Sequence, residues 1–221
     1  MAESAYLGQL AIQSSEIQVR HSRTVRLTHW ITAFSFFALL VSGIAILLAH
    51  PRLYWGETGA VGTPAIIDLP LPFVLTGQSG WGRSLHFLSA WVCVITGLVY
   101  VFSGFFMRHF QANLSFPRDR DSEVSNRYNV LQRVSYVLVI FGFFPLMIST
   151  GLAMSPAVTS VFPDLVTLLG GQQSARTVHF FAGSALLLFL IGHVAMVYRA
   201  GFRSRLLPMI TGCAIAGDEG A

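Results

Sequence analysis

Two of the seven histidines, His179 and His193, lie in one uncharged stretch, and any chemistry of this chain starts from them. The stretch runs RTVHFFAGSALLLFLIGHVAMVYR, with 22 residues between Arg176 and Arg199, enough to cross a bilayer as a helix. Fourteen residues of α-helix turn through about 1400°, some 40° short of four whole turns, and rise about 21 Å. The two imidazoles therefore face nearly the same way at two membrane depths. An ionisable residue inside a span is costly and marks function by default. A single histidine there is ordinarily bonded to a neighbouring helix. Two on one face, each with a counterpart elsewhere, read as ligands.

The elements that must position them follow from composition. The chain has 221 residues, 53% hydrophobic and only 11% charged, against about 25% charged in soluble domains. Its mean hydropathy is +0.62. This is an all-α integral membrane protein, a four-helix transmembrane bundle in a single domain. The spans are expected at about 27–49, 84–107, 130–154 and 177–198. Pro145 is expected to kink the third. The first is too long for a signal-peptide core. Outer loops cover 49–83 and 155–176, the latter with a short helix near 161–169, and a polar loop covers 108–129. No internal repeat is evident. All 14 basic residues are arginine, and they cluster at span ends, which excludes a nucleic-acid reading of the net charge of +4. Eleven lie in 1–26, 108–133 and 199–221, so the positive-inside rule places both termini in the cytoplasm. Cys93 and Cys213 form no zinc or covalent-haem motif.

Depth then sorts the histidines. His29 follows Arg26 by three residues at the inner end of the first span, level with His193. His86 follows Arg83 and His179 follows Arg176, both at the outer end. The pairs are His29 with His193 and His86 with His179. A bare metal ion needs more than two protein ligands, and no Asp, Glu or Cys lies at matching depth. A macrocycle brings four nitrogens and asks for two, so two non-covalent haems b with bis-histidine axial ligation are expected. Such iron has no open coordination site and moves electrons.

Arg-x-x-His occurs at Arg26–His29, Arg83–His86 and Arg176–His179. Residues at i and i+3 share a helix face, so each arginine stands one turn nearer water, placed for a haem propionate. Ordinary flanking charge explains Arg26 alone; it explains Arg83 and Arg176 less well, since they lie outside. Gly43, fourteen residues after His29, sits at the outer cofactor's depth and leaves room for a ring; Gly97, Gly104 and Gly183 serve a ring or helix packing equally. His21 and His109 read as solvated, and His50 as a loop residue. Trp30, Trp55, Trp81 and Tyr198 read as interface anchors, and Trp91 and Cys93 as packing inside the bundle. Tyr128, Asn129 and Gln132, or Gln172, Gln173 and Ser174, could bond a quinone carbonyl or simply satisfy helix ends.

The four-histidine pattern resembles the bacterial di-haem cytochrome b group, which includes cytochrome b561, the nickel-iron hydrogenase cytochrome b and thiosulfate-reductase-type subunits. The stretches AHPRLYWG at 49–56, RSLHFLSAW at 83–91, RYNVLQR at 127–133, TGLAMSP at 150–156, GGQQSARTVHF at 170–180 and PMITG at 208–212 look closest to the last type. The resemblance covers roughly residues 20–212. It implies haem ligation by the four histidines, electron exchange with membrane quinone, and location in the bacterial inner membrane. It also implies a periplasmic partner, a molybdopterin oxidoreductase of sulfite-oxidase type, for which the 49–83 loop suits docking. The chain has no molybdenum or iron–sulfur motif, so quinone oxidoreduction would be its only chemistry. The alternative is a superoxide oxidase that reduces ubiquinone. That substrate would favour a positive outer face, whereas the outer segments set Arg52, Arg83 and Arg176 against Glu57, Asp68 and Asp164. A haem-free membrane anchor is the third reading.

Overall fold

The computed structural model describes residues 17–19, 21–59, 62–69, 79–106 and 130–215. The loop at 108–129, with His109, Tyr128 and Asn129, lies outside the described residues, as does the 70–78 part of the first outer loop. Among the described residues, four helices are long and apolar enough to cross a membrane. Helix α1 is Arg23–Ala49 and α2 is Ser79–Phe106. Helix α3 is continuous from 130 to 153: α-helical over Val130–Val137, π-helical over Leu138–Phe143, and α-helical again over Phe144–Ala153. Two short helices follow, α4 (Pro156–Thr159) and α5 (Asp164–Leu168). Helix α6 is Gln172–Arg199 and α7 is Phe202–Thr211.

The ends have local causes. Ser22 caps α1, its hydroxyl accepting from the Val25 N–H at 3.3 Å. Pro51 biases His50 away from helical backbone, and His50 closes the helix by donating to Ile46 and Leu47. At Pro145 the expected kink takes the form of the π-helical stretch. Proline has no N–H for an i−4 carbonyl, and the Phe144 N–H bonds five residues back to Val139.

Helices α1 and α2 pack as one hairpin, α3 and α6 as another. At one end β1 (Ile17–Val19) pairs antiparallel with β4 (Cys213–Ile215) beside α7. We call this the terminal end. At the other, the loop end, β2 (Arg52–Leu53) pairs with β3 (Ile67–Asp68), closed by an Arg52–Asp68 ion pair of 3.1 Å. The buried residues are mostly small: Ser35, Ser42, Ala45, Ser89, Cys93, Thr96, Thr150, Ala153 and Ala182. Large apolar side chains such as Phe34, Leu88 and Leu188 face outward. Lipid is as apolar as leucine, so small residues that let backbones approach line the interior. Trp91 is among the outward residues, 58% exposed, and does not pack inside the bundle. Trp55, Trp81 and Tyr198 are exposed near helix ends, as interface anchors would be.

Candidate functional site

Helices α1, α2 and α6 carry four histidines that meet two by two. At the terminal end His29 faces His193, ring centroids 6.4 Å apart and planes inclined by 56°. At the loop end His86 faces His179 at 6.2 Å and 60°. The fourteen-residue spacing on α6 lets one helix serve both. These separations have a chemical meaning. Imidazole nitrogen binds a metal at about 2.0 Å, which puts two nitrogens on one ion about 4 Å apart and their ring centres roughly 6.3 Å apart.

The loop-end rings are oriented by hydroxyls. Ser42 Oγ of α1 lies 3.0 Å from His86 Nδ1, and Thr150 Oγ1 of α3 lies 2.9 Å from His179 Nδ1. Both hydroxyls are fully buried. Each also donates to the carbonyl four residues back, Ser42 to Ala38 at 2.7 Å and Thr150 to Leu146 at 2.6 Å. Gly43 and Gly151 stand beside them. A Cβ at either would meet the same imidazole at ordinary contact distance, 3.7 Å from His86 and 3.6 Å from His179. The imidazoles alone therefore do not demand glycine; a planar ring lying alongside them would. Gly97 instead seats the Phe144 ring, and so serves helix packing.

The terminal-end rings are held by aromatics. Phe189 stacks on His193 at 6.0 Å and 21°, and Trp30 meets His29 edge-on at 5.5 Å. The Trp30 indole N–H donates to the Met209 carbonyl of α7 at 3.0 Å. Among the described residues, no side-chain hydroxyl bonds either ring.

The arginines of the Arg-x-x-His motifs lie on the same helices as their histidines. Arg26 donates to the Ile210 carbonyl and Arg176 to the His50 carbonyl. Among the described residues, the Arg26 Nε is buried without a partner. A guanidinium has five N–H donors, so one carbonyl bond leaves others for a carboxylate. Gly212 ends α7 at φ +90°, and a side chain there would strike the Arg26 guanidinium. Arg83 and Arg176 converge electrostatically on His50. Its imidazole is held below its ordinary value, first by burial, then by Arg176 and Arg83.

The described part of the 49–83 loop is pinned over the start of α6. Thr177 donates to the Tyr54 carbonyl at 2.6 Å, and the Gly56 carbonyl accepts the N–H groups of Gln173 and Ser174 at 3.0 and 3.3 Å. This satisfies orphan donors of the helix end. Ser174 Oγ accepts from Gly56 N and donates to Gly170, so it is committed to the fold. Gln173 keeps a buried Oε1 without a partner among the described residues. An apolar cavity of about 890 Å³ lies against α4, α5 and Leu152, away from the histidines.

Ser42, Thr150 and Gly151 escaped the reading of the sequence, yet a signal for them exists. Ser42-Gly43-Ile44-Ala45 matches Thr150-Gly151-Leu152-Ala153, and Arg83-Ser84-Leu85-His86-Phe87 matches Arg176-Thr177-Val178-His179-Phe180. A short repeat therefore does exist, confined to the loop end, where each half supplies one histidine with its hydroxyl and glycine. Paired rings at iron-bridging separation at both ends, with Nδ1 bonded elsewhere and glycines alongside at the loop end, fit an iron porphyrin.

A sequence profile described as prokaryotic cytochrome b561 matches residues 20–212. The chain is also 32% identical over 214 residues to a protein of Azospira oryzae provisionally named protein-methionine-sulfoxide reductase subunit YedZ1. That match covers 90% of this chain and 99% of the relative.

Proposed function

The chain belongs to the prokaryotic cytochrome b561 family, as a multi-pass electron-transfer protein of the bacterial inner membrane that binds haem b; from that premise we propose that it carries two haems and passes electrons from the quinone pool to a periplasmic oxidoreductase. His29 and His193 would hold the haem at the terminal end, and His86 and His179 the one at the loop end. The paired rings at 6.4 and 6.2 Å are the observation that carries this reading. When bound, haem b would supply one-electron chemistry.

The residues of the chain hold, orient and shield. Arg26 pairs with a propionate at the terminal end, Arg83 and Arg176 with propionates at the loop end, and Gly43 with Gly151 admits the ring edge. The arginine distribution supports a cytoplasmic terminal end and a periplasmic loop end. The 49–83 loop, braced on α6 beside the loop-end histidines, is then the docking surface. The relative's name, a subunit of a protein-methionine-sulfoxide reductase, supports a reductase as the partner. That partner is a molybdopterin enzyme of sulfite-oxidase type, and it carries the substrate chemistry.

The test uses the protein in vesicles. Quinol should reduce its haem bands in stopped-flow mixing. Adding the catalytic subunit of a protein-methionine-sulfoxide reductase with a methionine-sulfoxide peptide should reoxidise them. Failure of quinol to reduce the bands overturns the quinone link. Reduction without reoxidation overturns the partner.

A further inference from the structure

The two histidine pairs differ in what holds their rings, and the difference falls on atoms that set an iron's potential. A hydroxyl has one proton. The carbonyls of Ala38 and Leu146 can only accept, and they take the Ser42 and Thr150 protons at 2.7 and 2.6 Å. Towards the imidazoles, at 3.0 and 2.9 Å, the same hydroxyls must therefore accept. That places a proton on Nδ1 of His86 and of His179 and leaves each Nε2 with its lone pair free.

We propose that Ser42 and Thr150 are positioning residues that fix the Nε2-binding tautomer of His86 and His179 and lower the reduction potential of the loop-end haem. An acceptor on the distal N–H makes a ligating imidazole more basic, and a more basic ligand favours ferric iron. The His29 and His193 rings, set against Trp30 and Phe189, have no such hydroxyl among the described residues. The device is doubled because the local repeat is doubled: Ser42 and Thr150 occupy equivalent places in two hairpins, each one residue before a glycine whose added Cβ would meet the same ring.

The inference rests on the di-haem reading, and its test separates the two. Redox titration of the purified protein, followed in the haem bands, should resolve two components. Ser42→Ala and Thr150→Ala should each move one component, the same one, to more positive potential, while haem content stays at two per chain. Ser42→Thr and Thr150→Ser, which keep the hydroxyl, should restore the original potential. Alanine variants with both haems and unmoved potentials overturn the inference. Should the alanine variants lose haem, the hydroxyl-keeping swaps decide. Retention of haem at the original potential supports a positioning hydroxyl, and a positive shift in them overturns it. A wild-type protein without two haems would be a failure of the di-haem reading itself.

Discussion

Gly43 stands against the His86 ring with room for a methyl group, so the cost of a larger side chain there falls on whatever lies beside the imidazole. Gly43→Val should abolish the loop-end haem and leave the terminal-end one, read as loss of about half the Soret absorbance per chain; full absorbance would show that no ring passes there. His50 yields a prediction in pH. Burial, Arg176 and Arg83 hold its pKa below 6.5, so the folded chain refuses a proton that the unfolded chain accepts below that value. Stability should fall as pH drops from 7 towards 5. His50→Gln should flatten that slope in thermal unfolding, modestly because the ring is largely solvated. An unchanged slope would assign it to other groups. At this scale the four histidines were legible in the sequence, because charge inside an apolar span stands out. Ser42 and Thr150 were not, because buried serine and threonine commonly bond their own helix. Only contact with a ring on another helix distinguishes them.

Helix α7 is short and carries no histidine, yet it holds the terminal-end site. It accepts from Trp30 at Met209 and from Arg26 at Ile210, and Gly212 leaves space for that guanidinium. Truncation after Ala200 should therefore weaken haem retention at the His29–His193 pair more than at His86–His179. Haem content and band shape after gel filtration check this; equal loss from both sites would contradict it. The four spanning helices could be read from hydropathy and arginine placement. The π-helical stretch could not, because Pro145 removes a donor without saying how the backbone replaces it. Nor could the bracing of the 49–83 loop, which depends on the Gly56 carbonyl meeting N–H groups more than a hundred residues away.

Across the described residues, two hairpins bury small residues and turn large apolar side chains outward. Helix α6 contributes a histidine at either end, and its fourteen-residue interval sets the two sites roughly 21 Å apart along the axis. On the proposed reading, a protein so built moves electrons between leaflets and leaves substrate chemistry to a partner. The most direct measurement is haem stoichiometry across the histidine variants. The wild type should hold two haems b per chain by pyridine haemochrome assay. His86→Ala and His179→Ala should each hold one, with the same spectrum as each other. His29→Ala and His193→Ala should each hold one, with the complementary spectrum. If His29→Ala and His86→Ala gave the same spectrum, or if the wild type held a single haem, the pairing of the histidines would be wrong.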